Sequence, residues 1–370
     1  MPDFSADDHA YMARALQLAR RGLYTTHPNP RVGCVLVRDG QIVGEGWHER
    51  AGQAHAEVFA LRAAQERAQG ATAYVSLEPC SHYGRTPPCA EALVQAGVAK
   101  VIAAMVDPNP LVAGQGLARL AAAGIETASG LLATEARALN PGFVSVMERK
   151  RPWVRIKMAM SLDGRTAMAS GESVWITGEA ARRDVQFWRA QAGAILTGID
   201  TVLVDQPQLN VRLSATDLGI EGEVRQPVRV VLDSNLRFPL AAPLLKSAGK
   251  VLIYTCSTNT AKIAALQNLG VSIRQFSGTR LDLTEVLAAL VLDGINEVHV
   301  EAGATLSGSL IEQGLADELV LYMAPHLMGS AARPLFSLPL AKMAERYPLQ
   351  IRDIRAVGQD WRILADFYKE

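Results

Sequence analysis

Apolar and polar residues in the first third of the chain alternate with two different periods. Residues 7–23 carry apolar side chains at helical spacing, which predicts an amphipathic helix that Gly22 helps to end. Residues 32–37 and 42–46 are short apolar runs typical of strands, and Asp39-Gly40 between them is a strong hairpin signal. The chain is therefore predicted to open with a helix and a two-stranded hairpin.

Helices and strands continue to alternate as far as about residue 130. The pattern predicts a helix over residues 55–68, a strand over 71–78, a helix that opens near Pro88, a strand over 101–106, a helix over 116–123 and a strand near Ile125. Such alternation is typical of a sheet that is covered by helices. We therefore expect a three-layer α/β sandwich in this part of the chain.

A second set of elements begins after the basic run Arg149-Lys150-Arg151, which ends a helical stretch over residues 135–150. We place a domain boundary there and expect domains over 1–148 and 152–370. Strand patterns follow from residue 152 and over 194–197, 228–232, 251–254, 318–323, 349–357 and 361–368, with a strand–helix junction at 298–304. A mostly parallel sheet with helices on both faces and a closing antiparallel hairpin is expected, as in a dihydrofolate-reductase-like fold.

Composition narrows the class of protein. A length of 370 residues suggests about two to three domains, each able to bury its own core. Zero formal net charge argues against a broad surface for nucleic acid or for an anionic membrane. The acidic N-terminus lacks an apolar signal region, and four cysteines do not suggest a disulfide framework. We therefore expect a cytoplasmic protein that acts without nucleic acid or membrane.

One stretch carries residues that suit a catalytic zinc site. His55, Cys80 and Cys89 supply one imidazole and two thiolates, and a catalytic zinc needs three protein ligands and an open position. Glu57 lies two residues past the histidine and could carry a proton between water and a leaving amine. His-x-Glu followed by Pro-Cys is the signature of zinc deaminases that act on cytosine or adenine rings.

Other functions remain open on these residues alone. The two cysteines are separated by eight residues, SHYGRTPP, where the commoner deaminase pattern has two. A nucleic-acid base deaminase would need a basic face and stacking aromatics, whereas the net charge is zero and aromatic residues make up 6% of the chain. A purely structural zinc would need a fourth ligand, for which His82 is the candidate.

Several motifs resemble those of the bifunctional deaminase–reductases of bacterial riboflavin biosynthesis. They are HPNP from His27, GWH from Gly46, HAEV from His55 and EPCSHYGRTPPC from Glu78, and the long loop between the cysteines is a feature of that family. The resemblance implies Zn²⁺ and NADPH as cofactors and a small phosphorylated pyrimidine as substrate. It also implies a zinc-dependent deamination followed by reduction of the ribosyl group, and we expect a homo-oligomer.

The resemblance assigns substrate contacts in the first half to Asn29, His48 and Arg85. Asn29 and His48 would hold the pyrimidine and ribose, and Arg85 would lie near the phosphate. Without the family, Asn29 is a turn residue between two prolines, and the other two are an ordinary strand-end histidine and a solvated charge. Family members often have Lys at the position of Arg85. The guanidinium of Arg85 could therefore donate two hydrogen bonds to the phosphate, where the ammonium of Lys would act as a point charge.

No Gly-x-Gly-x-x-Gly motif follows a strand, so a standard Rossmann site is not expected. Gly114-Gln115-Gly116 lacks the third glycine and is interpreted as a turn before a helix. The segment from Glu301 to Gly308 lies between a strand and a helix and is rich in small residues. It could bring backbone N–H groups to a phosphate, or it could be a tight turn without a ligand.

The second half also resembles the reductase half of that family, through SLDGRTA, SGESVWITG and LTGIDTVLVDQPQLNVR. The resemblance gives Lys157 a catalytic role, orienting the ribose carbonyl. It assigns NADPH contacts to Ala159, Trp175, Thr201, Asp205, Gly303, Ala304, Thr305, Leu306, Ser307 and Gly308. It assigns substrate contacts to Ser173, Arg189, Leu209, Arg212 and Glu301. From the residues alone, Arg189 and Arg212 are expected to form surface ion pairs. Asp205 and Glu301 are expected to cap helices or to face solvent.

Overall fold

The computed structural model describes residues 3–82, 87–110, 112–173 and 175–367. The chain divides into two compact units, Met1–Lys150 and Arg151–Glu370, and the division falls within the basic run. No helix in these described ranges combines the length and the apolar character that a membrane crossing needs.

The first unit alternates helices and strands. Its helices are α1 (Ala6–Arg20), α2 (Ala56–Ala64), α3 (Cys89–Gln95), α4 (Gln115–Ala122), α5 (Ala133–Leu139) and α6 (Pro141–Arg149). Its strands are β1 (Gly33–Arg38), β2 (Gln41–Trp47), β3 (Thr72–Val75), β4 (Lys100–Ala103) and β5 (Glu126–Ser129). The strands form one sheet in the order β2-β1-β3-β4-β5, antiparallel through β3 and parallel from β3 to β5.

Helices cover both faces of this sheet. Alternate residues of β1 point to opposite sides, so that Val35 packs with α1, α5 and α6 and Cys34 packs with α2, α3 and α4. This is the three-layer sandwich that the sequence predicted. The predicted helix over 135–150 is instead two helices, because Asn140 leaves the helical conformation and Pro141 begins a new helix. The predicted helix over 55–68 ends at Ala64 and continues as a 3-10 turn over Gln65–Ala68, since Gln65 has a φ of 53°.

The second unit is built on a larger sheet. Its strands are β6 (Trp153–Ser161), β7 (Arg165–Ala167), β8 (Ala194–Gly198), β9 (Val228–Leu232), β10 (Val251–Thr255), β11 (Ser272–Gln275), β12 (Glu297–Val300), β13 (Glu318–Ala324), β14 (Arg333–Pro334), β15 (Leu349–Val357) and β16 (Asp360–Phe367). Its helices are α7 (Glu179–Gln191), α8 (Ile199–Asp205), α9 (Ala215–Leu218), α10 (Thr260–Asn268), α11 (Leu283–Leu292) and α12 (Ala304–Glu312).

Nine of these strands form the sheet β11-β10-β9-β8-β12-β6-β13-β16-β15. Pairing is parallel from β11 to β13 and antiparallel over β13, β16 and β15. On one face α11 and α12 pack in the largest core cluster, and on the other α8 and α10 pack around Ile195 and Ile253. The observed parallel sheet with its closing antiparallel hairpin confirms the predicted fold class.

The edge strand β15 exposes apolar side chains. Ile351 and Ile354 are 56% and 52% exposed, and Leu349 and Trp361 beside them are also exposed. The three β15 residues lie opposite β16 residues that pack on or within the core, so their side chains share the core-facing side of the sheet. We call these four residues the β15 apolar face.

Candidate active sites

Three metal-binding side chains meet in the first unit. His55 is the N-cap residue of α2, Cys80 follows β3, and Cys89 is the first residue of α3. His55 Nδ1 is 3.3 Å from Cys89 Sγ and 3.6 Å from Cys80 Sγ. Among the described residues, the ligand atoms within 4.8 Å of one another belong to these three, and His82 is not part of the group.

The two sulfurs lie in a polar environment that changes their pKa values in opposite directions. Cys89 donates through its thiol and its backbone N–H to Cys80, and these hydrogen bonds outweigh burial and lower the pKa of Cys80 to about 4. The hydrogen bond to Cys80 and burial raise the pKa of Cys89. Zn²⁺ prefers thiolate and imidazole ligands, and the donor set fits a three-ligand catalytic zinc site.

Glu57 lies in the first turn of α2 beside these ligands. Its side chain is buried, and Oε2 has no hydrogen-bond partner among the described residues. Burial and the nearby Cys80 thiolate raise the pKa of Glu57. Burying a carboxyl oxygen without a hydrogen-bond partner costs free energy. A water or a substrate atom in the cavity would supply the missing hydrogen bond to this oxygen.

Asn29 and His48 line the same cavity, which has a volume of about 210 Å³ and also includes His55, Glu57 and Cys80. His48 Nδ1 lies 3.0 Å from the carbonyl oxygen of Ala54, which fixes the proton on Nδ1. Nε2 then accepts from Asn29 Nδ2 at 3.1 Å. Burial lowers the pKa of His48, so the ring is neutral and the Asn29 carbonyl oxygen is left for a ligand. Arg85 lies outside the described residues.

The cavity has further lining residues that the sequence analysis did not select, among them Asp107, Asn109 and Phe143. Glu78 also lines it, and its carboxylate accepts hydrogen bonds from four backbone N–H groups of residues 107–117. Gly114 and Gly116 supply two of these donors. The Gly114-Gln115-Gly116 turn therefore binds an anion, but that anion is a side chain of the same unit.

The second unit contains a cavity of about 640 Å³, which is lined by residues of β6, α7, α8 and the loop after β12. Eleven of the residues selected from the sequence line it: Lys157, Ala159, Ser173, Arg189, Thr201, Asp205, Leu209, Glu301, Gly303, Ala304 and Thr305. The structure thus brings together residues that are up to about 150 positions apart in the chain.

An ion pair lies at the floor of this cavity. Arg189 donates to both carboxylate oxygens of Glu301, at 2.5 and 2.9 Å. Burial favours the protonated acid, but the charge and hydrogen bonds of Arg189 outweigh it and hold the pKa of Glu301 well below its usual range. Burial lowers the pKa of Lys157, an effect that the charge of Glu301 opposes.

Four of the residues selected from the sequence line neither this cavity nor a second cavity that adjoins it. Trp175 is 70% exposed with a φ of 48°, and the guanidinium of Arg182 lies 4.4 Å from its ring centre. Ser307 is fully buried in α12. A Cβ on Gly308 would lie 2.2 Å from the Ser337 carbonyl oxygen, so this glycine is needed for close packing. Burial and the charge of Arg189 lower the pKa of the fourth residue, Arg212.

A second cavity of about 780 Å³ adjoins the first. The two share the wall formed by Asp200, Thr201, Ala302, Gly303 and Thr305. Leu306 lines only the second cavity, together with Ser234, Asn235 and Arg237, which the sequence analysis did not select. The shared wall includes the N-terminus of α12, a favourable place for a pyrophosphate. An elongated dinucleotide such as NADPH fits a pair of cavities joined in this way.

The loop between α8 and α9 is held by side chains from elsewhere in the unit. Gln226 accepts from the backbone N–H of Val211 and donates to its carbonyl oxygen, at 2.9 and 3.0 Å. Gln186 accepts from the N–H of Arg212 at 3.0 Å, and Arg189 donates to the carbonyl oxygen of Asn210 at 3.1 Å. We call residues 206–213 the clamped segment, which carries the selected residues Leu209 and Arg212.

Two family models match the chain. The model described as "RibD C-terminal domain" matches residues 152–363, and the one described as "Cytidine and deoxycytidylate deaminase zinc-binding region" matches residues 5–105. The Escherichia coli (strain K12) protein named "Riboflavin biosynthesis protein RibD" is 51% identical over 359 residues, covering 95% of this chain and 97% of that protein. The protein of the same name from Haemophilus influenzae is 50% identical, with 98% of each chain covered.

Solved structures agree with these matches. A structure described as "Acinetobacter baumannii RibD, form 1" is 49% identical with a TM-score of 0.90, covering 98% of this chain and 99% of that one. A Thermotoga maritima structure, described as that of a diaminohydroxyphosphoribosylaminopyrimidine deaminase/5-amino-6-(5-phosphoribosylamino)uracil reductase, is 30% identical with a TM-score of 0.85 and the same coverage. This chain therefore belongs to the RibD family of bifunctional riboflavin-biosynthesis enzymes, which join a zinc-dependent deaminase to an NADPH-dependent reductase.

Proposed function

We propose that the two units act in turn on one phosphorylated pyrimidine. The first removes an amino group from 2,5-diamino-6-ribosylamino-4(3H)-pyrimidinone 5′-phosphate. The second reduces the ribosyl group of the product and gives 5-amino-6-(5-phosphoribitylamino)uracil. The observation that carries the proposal is the cluster of His55, Cys80 and Cys89 beside the unpartnered oxygen of Glu57 in one cavity. The Thermotoga maritima relative is named for the same two activities.

In the deaminase cavity, His55, Cys80 and Cys89 would hold zinc, which when bound supplies a Lewis acid that activates water. Glu57 takes the proton of the attacking water at the oxygen that has no partner among the described residues and gives it to the ring nitrogen. It then moves the proton of the hydroxyl that has been added to the ring to the amino group, which leaves as ammonia while the ring carbonyl forms. Asn29, held by His48, orients the pyrimidine through its free carbonyl oxygen. Arg85 is assigned to the phosphate.

In the reductase unit, NADPH when bound supplies the hydride. We assign its contacts to the two joined cavities and to Ala159, Trp175, Thr201, Asp205 and the Gly303–Gly308 loop. Ser173, Leu209 and Arg212 are assigned to the sugar-phosphate, together with Arg189 and Glu301. Lys157 reaches the same cavity from β6 and orients the carbonyl of the opened ribose.

The test is to supply the diaminopyrimidinone substrate to the purified chain with and without NADPH. Ammonia release should need zinc and proceed without NADPH, because the proton carrier and the metal ligands lie in the first unit. The ribitylamino product should appear only when NADPH is added. Ammonia release that survives complete removal of zinc would contradict the assignment of the first site.

We also propose that the protein is cytoplasmic, acts on a small molecule without nucleic acid or membrane, and works as a homo-oligomer. Zero net charge supports the absence of a nucleic-acid or membrane surface. The β15 apolar face supports the homo-oligomer, since exposed apolar patches on an edge strand favour association. We take a second copy of the chain as its partner.

The oligomer can be tested on the intact chain. Ile351→Asp and Ile354→Asp each place a charge within the β15 apolar face and should shift the molar mass measured by light scattering towards that of one chain. Gln350→Asp adds a similar charge on the other side of β15 and should leave the mass unchanged. A wild-type mass of one chain would contradict the proposal.

A further inference from the structure

Glu78 is a buried carboxylate whose two oxygens are both fully engaged. Oε2 accepts from the backbone N–H of Asp107 and Gly114, each at 2.9 Å. Oε1 accepts from Gly116 at 2.8 Å and from Leu117 at 3.2 Å. Four donors on one carboxylate leave no free position for a ligand atom. Glu78 thus differs from the nearby Glu57, whose Oε2 has no partner among the described residues.

The four donors belong to one segment of the deaminase cavity wall. Asp107, Asn109 and Val112 from this segment line the cavity, and the segment ends in the first turn of α4. The backbone of α4 also approaches the turn that carries the metal ligand, because a Cβ on Gly116 would lie 2.0 Å from the Pro79 carbonyl oxygen. A single side chain thus joins this wall to the residues next to Cys80.

We infer that Glu78 is a positioning residue of the deaminase. Its carboxylate fixes residues 107–110 and 112–117 against the Glu78–Cys80 turn and so sets the width of the pyrimidine cavity relative to the metal ligands. It neither binds zinc nor carries a proton. The inference rests on the proposed deaminase function and predicts that Glu78 controls how well substrate binds more than how fast bound substrate reacts.

The test is Glu78→Gln in the full-length chain with zinc bound. The amide would turn its NH₂ group towards two backbone N–H donors, so two of the four hydrogen bonds would be lost and the wall would move. We expect KM for the diaminopyrimidinone substrate to rise by about tenfold or more, since each lost bond to a charged acceptor is costly. The value of kcat should change less, and zinc content and reduction of the pre-formed deaminated product should stay as in the wild type.

Glu45→Gln is the matched control. It also removes a carboxylate from the first unit, where Glu45 pairs with Arg14 at 2.7 Å, but it lies outside the cavity. It should leave KM unchanged. An unchanged KM in Glu78→Gln would overturn the inference, and so would an equal rise in KM in Glu45→Gln, which would indicate a general loss of stability.

Two further variants keep the inference testable if Glu78→Gln does not fold. Glu78→Asp keeps the charge but is too short to reach all four donors, and Gly116→Ala pushes α4 away from Pro79. Both should raise KM with zinc retained, and an unchanged KM in both would overturn the inference. A wild-type chain that releases no ammonia would instead contradict the proposed function itself, and this inference would fall with it.

Discussion

Glu57 and Glu78, which are buried, and Glu301, which is mostly buried, differ in what surrounds their carboxylate oxygens. Glu57 has an oxygen without a partner among the described residues, Glu78 accepts four backbone N–H groups, and Glu301 faces the guanidinium of Arg189. The pKa is accordingly raised for Glu57 by burial, and lowered for Glu301 by Arg189 against the effect of burial. Of these three carboxylates, Glu57 has the surroundings that suit the proton transfer we propose.

Replacing Glu57 tests this difference. Glu57→Gln keeps the size of the side chain but cannot carry a proton, so deamination should fall by a factor of about one hundred or more. Zinc should remain near one ion per chain, measured by atomic absorption, because Glu57 is not one of the three ligands. A parallel loss of zinc and activity would mean that Glu57 binds the metal.

The Arg189–Glu301 pair predicts a different outcome. Glu301→Ala leaves a buried guanidinium without its anion, which should lower the free energy of unfolding of the second unit by about 3 kcal/mol and weaken reduction. Denaturant unfolding measures the first effect. The double variant Glu301→Ala with Arg189→Met should regain most of the stability but not the reduction. Recovery of both would show that the pair has no part in substrate binding.

At the scale of elements, the end of β12 brings together two titratable groups with opposite tendencies, His299 in the strand and Glu301 just after its last residue. His299 and Glu301 lie two residues apart, and His299 Nε2 is 3.6 Å from Glu301 Oε1. Neither ring nitrogen of His299 has a hydrogen-bond partner among the described residues. Burial lowers the pKa of His299 to about 3; Glu301 opposes this shift, and the positive charges of Arg155, Arg189 and Lys157 support it. The end of the strand therefore places a neutral histidine beside an ionised acid.

This histidine should make the second unit less stable in acid. Between pH 6.5 and about 3 the unfolded chain binds a proton at His299 that the folded chain does not, so stability falls as the pH is lowered. The slope from this residue is about 1.4 kcal/mol per pH unit. His299→Leu should remove it from unfolding measured between pH 7 and 5. His326→Gln, which changes an exposed histidine of the same unit, should leave the slope as it is.

The sequence predicted the elements with strong periodicity and the motif that brings the metal ligands together. It did not predict the role of Glu78, because the four donors are backbone groups 29 to 39 residues away. A carboxylate in the motif and two glycines at the start of α4 are the signals for it in the sequence. Likewise Ser234 and Arg237 line the second cavity through a turn after β9 that has no sequence motif. Contacts between residues that are distant in the chain produce little pattern in the sequence around either residue.

At the scale of the whole molecule, each unit has its own sheet, its own core and its own cavities. Membership of the RibD family decides against the nucleic-acid base deaminase and the structural-zinc binding module that the residues alone left open. The proposed zinc ligands and the proposed proton carrier lie in one unit, and the residues assigned to NADPH lie in the other.

The two activities should therefore be separable in the intact chain. Cys80→Ser removes a zinc ligand and should abolish ammonia release while reduction of the pre-formed deaminated substrate continues at the wild-type rate. Lys157→Met should impair reduction and leave ammonia release unchanged. Coupled assays with each substrate measure ammonia release and reduction separately. If Cys80→Ser stopped reduction in a folded chain, the sites would be coupled and the two-unit description would fail.

The clamped segment has a consequence for the thermodynamics of ligand binding. Gln186, Arg189 and Gln226 hold the backbone of residues 210–212 through hydrogen bonds within the same unit. A flexible loop would lose conformational entropy on closing around a substrate, whereas this one has lost it during folding. The phosphorylated substrate should therefore bind a preorganised surface, with little change in the protease sensitivity or hydrogen exchange of residues 206–213.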